Sequence, residues 1–108
     1  MIFIVVKFPI RPELSDEWLT KVDDFTRATR AEPGNIFFEW SRSVDDPNTF
    51  VLVEAFQDGT AGDHVGSDHF KTFVDWAPDY VAATPQIISL SEVPGEGWGE
   101  MGEIKPRQ

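Results

Sequence analysis

A chain of 108 residues makes one domain, large enough for a real core but near the small end of the range. It holds no cysteine, which excludes disulfides, thiolate nucleophiles and thiolate metal sites. Its net charge of −10, spread along the chain, repels phosphate backbones and argues against a nucleic-acid partner.

The first element is Ile2-Phe3-Ile4-Val5-Val6-Lys7-Phe8, β-branched and aromatic, which reads as a strand ended by Pro9. Its apolar run at Ile2–Val6 is too short to span a bilayer. It also lacks the cationic leader and small-residue cleavage site of a secretory signal. The expectation is a soluble cytoplasmic protein with no membrane partner. Residues 13–31 carry helical periodicity, with Leu14, Trp18, Val22, Phe25 and Thr29 on one stripe and most charges outside it. Ser15 is the candidate N-cap, with Leu14 and Leu19 placed as a hydrophobic staple and Asp16 and Glu17 in the first turn. Pro33-Gly34 stops this helix.

Residues 35–43 and 49–57 read as two strands joined through Asp45-Asp46-Pro47-Asn48, an antiparallel hairpin. Residues 60–80 form a second helical region that Gly66-Ser67-Asp68 bends or interrupts. Beyond the bend Phe70, Phe73, Val74 and Ala77 form its apolar stripe, and Pro78 weakens the last turn unless it begins a new one. Residues 86–93 are the fourth strand. The domain ends near residue 94, and residues 95–108, rich in Gly and Glu, form a tail that is flexible by composition, with Trp98 and Met101 as its possible anchors.

The order β-α-β-β-α-β is the ferredoxin-like arrangement of the α+β class, with both helices on one face of the sheet. The other face should be polar if it met water. Instead Ile36, Phe37 and Phe38 are consecutive, as are Val51, Leu52 and Val53. Both faces call for burial, and a second copy is the economical cover, which predicts a homodimer.

A cavity for chemistry is expected between helices and sheet. Glu54 shares its strand face with Leu52 and Phe56, so its carboxylate is desolvated and its pKa raised unless a partner compensates. Such a group suits proton abstraction from an acidic hydroxyl; the structural alternative is an ion pair with an arginine or a bond from a helix amide. One hairpin register sets Glu39 opposite Glu54, and a one-residue slip removes that like-charge pair. His64 lies near the sheet-facing side of its helix with Ala61 and Val65, as a base or hydrogen-bond donor, or as a core histidine bonded to backbone or to Glu54. His69 reads as structural, at the bend. The two histidines are five apart, which on a helix places them on different faces, and no third ligand has matching spacing, so no metal site is expected. Phe38, Trp40, Phe56, Trp76 and Tyr80 are candidates for a flat aromatic wall suited to a ring-shaped substrate, or are simply core, and Leu52 is a further pocket candidate.

The pieces Glu32-Pro33-Gly34, Arg42-Ser43-Val44-Asp45-Asp46-Pro47, Glu54-x-Phe56 and His64-x4-His69-Phe70, in this order, resemble the antibiotic biosynthesis monooxygenase family across residues 1–93. The resemblance implies a dimeric α+β barrel. The members that oxidise anthrone-type polyketides use an asparagine, a tryptophan and a tyrosine where this chain has Leu52, Phe56 and Gly62. The haem-degrading relatives use a first-strand asparagine, absent here, and a tryptophan and a histidine where this chain has His64 and Val74. What remains is similarity to the small quinol monooxygenases, carried by His64, His69 and Phe70. That similarity implies a cofactor-independent monooxygenase in which a small aromatic quinol or related phenol is deprotonated and its anion passes an electron to dioxygen. Two alternatives stand beside it: a non-catalytic dimeric small-molecule binding module, and an isomerase or decarboxylase on the same fold.

Overall fold

A computed structural model describes residues 1–107. Strand β1 (Ile2–Pro9) is followed by a 3₁₀ turn over Pro12–Glu17 and helices α1 (Trp18–Lys21) and α2 (Asp23–Arg30). Strands β2 (Asn35–Arg42) and β3 (Thr49–Phe56) form the hairpin. Helices α3 (Ala61–Val65) and α4 (Asp68–Trp76), a 3₁₀ turn at Ala77–Asp79 and strand β4 (Gln86–Leu90) complete the domain. The sheet order is β2-β3-β1-β4 with every pair antiparallel, so the fold is α+β and ferredoxin-like.

The single helix expected over residues 13–31 is three pieces. Pro12 opens a 3₁₀ turn, and the Thr26 hydroxyl bonds the Val22 carbonyl at 2.7 Å, a back-bond that bends a helix. The break is slight, because Val22 N–H still donates to the Trp18 carbonyl and Thr26 N–H to that of Val22. Ser15 is not an N-cap. It lies buried inside the 3₁₀ turn, and its hydroxyl donates to Asn48 Oδ1 at 2.9 Å. Leu19 is half exposed, so the Leu14–Leu19 staple does not form, and Val74 faces water instead of joining the α4 stripe. The predicted stripe of Trp18, Val22, Phe25 and Thr29 is buried as read.

Alternation along the strands sorts the sheet into two faces. Toward the helices point Ile4, Val6 and Phe8, then Phe50, Leu52, Glu54 and Phe56, with Phe38 and Trp40. Trp18, fully buried, is the hub of this core: its ring lies 5.5–5.8 Å from those of Phe8, Trp40 and Trp76. Phe25 of α2 stacks on Phe73 of α4 at 4.2 Å and 3°, which fixes the spacing of the two helices. The helix-free face carries Phe3, Val5, Phe37, Val51 and Val53, all partly buried, with Ile88 and Leu90 exposed beside them. The register sets Phe38, not Glu39, across from Glu54, and Glu39 across from Val53, so no like-charge pair forms. No helix among the described residues is long and apolar enough to cross a membrane.

Beyond β4 the chain does not extend the strand to residue 93. It turns at Glu92, and Val93 exchanges hydrogen bonds with the N-terminal residue Met1. The following segment folds back over the helix-free face, where the Trp98 ring lies 5.3 Å from Phe37 and its indole N–H donates to Glu39 at 2.7 Å.

Candidate functional site

The site is built where the chain has to break a helix. Residues 60–76 cannot form one straight helix, because Gly66 closes α3 and Ser67 starts α4 by accepting the Phe70 N–H at its hydroxyl. The Gly66 amide approaches the Gly62 carbonyl so closely that an added Cβ would sit 2.9 Å from it. This break resets the angular phase of the helix. His64 on α3 and His69 on α4, which an unbroken helix would aim apart, turn toward one carboxylate. Glu32 Oε2 lies 2.8 Å from His64 Nδ1 and 2.6 Å from His69 Nε2. The expectation that the two histidines point apart with no third ligand is therefore overturned, and the interrupted helix is the reason.

Glu32 itself is held by the loop after α2. Gly34 is packed so tightly against Thr60 that any Cβ there would fall 2.3–2.8 Å from its side-chain atoms, so this loop and the start of α3 are locked together. Glu32 was legible in sequence only as part of a helix stop. No local pattern marks it as the partner of the two histidines, since the contact joins residues 32 and 37 positions apart along the chain. His64 bonds neither backbone nor Glu54, as its structural alternative had it; its partner is Glu32.

A cavity of about 320 Å³ opens between the sheet and α3–α4, lined by apolar side chains from β1, β3, α2, α4 and β4. Two titratable groups break that lining: Glu54 and His64. Both are 5% exposed. Glu54 sits between Phe38 and Ile4 on the sheet, and its carboxylate takes part in none of the side-chain hydrogen bonds or ion pairs among the described residues. Burial, and then the nearby negative charge of Glu32, push its pKa up to about 7 from 4.5. His64 is framed by Phe56, Phe70 and Phe25, with ring centroids 4.9–5.8 Å away. An ionised Glu32 accepts from Nδ1–H, which fixes the tautomer and leaves Nε2 as a bare acceptor.

Of the expected pocket residues Leu52 lines this cavity, and none of the five rings of the expected aromatic wall does. Phe38 and Phe56 are 1% exposed within the core. Trp40, Trp76 and Tyr80 gather around Trp18 at the other end of the helix layer, Trp40 edge-on and the other two tilted against its ring. The rings that do line it are Phe8, Phe25, Phe70 and Phe73. A larger depression of about 520 Å³ near Met1, Gln57 and Glu96 is more polar and open to solvent, and it holds no comparable pair of buried titratable groups.

A family model described as antibiotic biosynthesis monooxygenase matches residues 1–76. The chain is 30% identical over 95 residues to a Bacillus subtilis (strain 168) protein named "Putative monooxygenase YcnE", covering 85% of this chain and all of that one. A crystal structure from Methanosarcina mazei Go1, of a conserved protein, superposes with a TM-score of 0.77 at 22% identity, covering 82% of this chain and 89% of the other. Rv0793 of Mycobacterium tuberculosis superposes with a TM-score of 0.78 at 22% identity, covering 89% and 98%. These two structures share the fold.

Proposed function

Because this chain belongs to the antibiotic biosynthesis monooxygenase family, we propose that it is a monooxygenase acting with dioxygen on a small aromatic quinol bound in the cavity beneath α3. The family and the YcnE name support the coarser part, a monooxygenase-like role. The finer part rests on one observation: Glu54 and His64, two proton acceptors, converge on an otherwise apolar cavity.

A hydroquinone presents two phenolic hydroxyls to such a pair. Its ring is favoured by the Phe8, Phe25, Phe70 and Phe73 lining, and its hydroxyls by the bare Nε2 of His64 and the Glu54 carboxylate. With a pKa of about 7, Glu54 is poised between its two forms at neutral pH, where an acceptor works best. Removal of a phenolic proton yields an anion that can give one electron to dioxygen. The resulting semiquinone and superoxide combine through a ring carbon to a peroxide, whose O–O bond breaks with loss of water. Hydroquinone and one dioxygen thereby give one hydroxyquinone and one water. The substrate supplies all four electrons, and no further reductant enters. The chain's part is to take the proton, hold the ring and keep water from the anion.

Oxygen uptake with a panel of hydroquinones, on chelator-treated protein with catalase present, tests this reading. The expected result is one dioxygen per quinol, with the rate lowered on the order of 10²-fold in His64→Ala or Glu54→Gln. Uptake no faster than the uncatalysed oxidation for every quinol would overturn it, and would leave binding without turnover as the reading to pursue.

A further inference from the structure

The geometry points to a binding site for one divalent transition-metal ion at Glu32, His64 and His69, a site that does not depend on the reaction proposed above. The three donor atoms, Glu32 Oε2, His64 Nδ1 and His69 Nε2, all lie within 4.8 Å of one another. Two imidazoles and one carboxylate are a donor set that suits zinc, iron, cobalt, nickel or manganese and discriminates against calcium and magnesium, which prefer all-oxygen shells.

The spacing fits with modest side-chain movement. Ligands about 2.0–2.2 Å from an ion lie roughly 2.8–3.1 Å apart at the right angles of an octahedral ion, and roughly 3.3–3.6 Å apart around a tetrahedral zinc. The two oxygen–nitrogen separations, 2.8 and 2.6 Å, need to open by a few tenths of an ångström for an octahedral ion and by up to about 1 Å for tetrahedral zinc. The remaining adjustment falls on the histidine pair, and His69, at 24% side-chain exposure, has room to turn. In the present arrangement two N–H protons do the work of a cation, both donated into one oxygen. An ion would replace them, each ring moving its proton to its other nitrogen. A carboxylate and two neutral imidazoles leave an excess positive charge on the ion, which the net charge of −10 favours.

Access and vacancy also fit. His69 forms part of a groove of about 400 Å³ between α2 and α4, beside Asp24 and Thr72, so an ion has a path from solvent. Three protein donors leave coordination positions for water or a ligand. Filling the site has a consequence for the cavity, because His64 would then carry its proton on Nε2. It would cease to be an acceptor there and become a donor, with Glu54 the only base left.

Metal content is the readout. Chelator-treated protein is titrated with Zn²⁺ by calorimetry and with Co²⁺ by visible absorption. The expected result is one ion per chain, with cobalt d–d bands of a nitrogen-ligated site, and affinity lowered at least tenfold in Glu32→Gln and in His69→Gln. Circular dichroism checks that each variant is folded, and His69→Gln, altering a partly exposed side chain, keeps the test valid if Glu32→Gln does not fold. Absence of saturable binding to the wild type overturns the proposal. So does binding that both variants retain unchanged, since the ion would then sit on exposed carboxylates.

Discussion

Glu54 has the most to lose by ionising of any residue in the fold, since its carboxylate is buried without a partner. Its folded pKa of about 7 lies above its ordinary value of 4.5, so the folded protein holds the proton more tightly than the unfolded chain does. The cost is therefore absent below about pH 4.5, grows through pH 7 and is complete above it. The shift corresponds to on the order of 3 kcal/mol. Glu54→Gln should thus be more stable than wild type at pH 8 and nearly equal to it at pH 4.5, a difference that denaturant melts at the two pH values would read. Equal stability at both would mean that the carboxylate is solvated. Glu32→Gln should lower the Glu54 pKa without normalising it, because burial, the larger cause, remains. Carboxyl NMR titration of Glu54 in the two proteins checks the direction.

At the scale of elements, the α3–α4 break and the loop at Gly34 decide whether the site exists. Ser67→Ala removes the hydroxyl that accepts the Phe70 N–H at 3.2 Å, and should cost about 1 kcal/mol, the usual value of an N-cap. Gly34→Ala should cost more, roughly 1–3 kcal/mol, because its Cβ would meet Thr60 and push the start of α3 away from the loop that carries Glu32. Thr60→Gly should recover part of that loss in the double variant, and thermal melts of the four proteins measure it. The segment after Val93 is expected to add little. Trp98 packs on Phe37 and bonds Glu39 yet remains 71% exposed, while the glycines around it are costly to order. Truncation after Val93 keeps the strand-end bonds to Met1 and should shift the melting midpoint by only a few degrees. A large drop would show that the tail is part of the fold.

For the whole molecule, form turns on what covers the helix-free face. Phe37 and Val53 both point to it, which the observed register decides, together with Phe3, Val5, Ile88 and Leu90. Lys7 and Glu39 share this face and Trp98 packs on Phe37, but the apolar side chains left between them are the kind of surface that serves as a contact. A homodimer formed through it is the expected state. Phe37→Asp or Val53→Asp should weaken that association by burying an unpaired charge, giving a folded monomer or an unfolded chain. Sedimentation of the wild type at micromolar concentration is the check, and a monodisperse monomer there would refute the dimer.

The order of elements, the buried stripe of Trp18, Val22, Phe25 and Thr29, and the perturbed Glu54 could all be read in the sequence, because each follows from local periodicity and from what flanks a residue on its own strand. Helix ends were less legible. Ser15 looks like a cap until Asn48, far along the chain, is there to take its hydroxyl proton. The cavity lining was harder still, since which aromatic rings gather around Trp18 and which border Glu54 depends on how far along the sheet each helix packs. The Glu32–His64–His69 cluster was decided by tertiary structure alone. It needs a helix broken at Gly66 to change the phase between two histidines, and a Gly34–Thr60 contact to bring a loop carboxylate to both. Spacing along a chain encodes direction only while an element stays regular, and here the residues that meet do so because it does not.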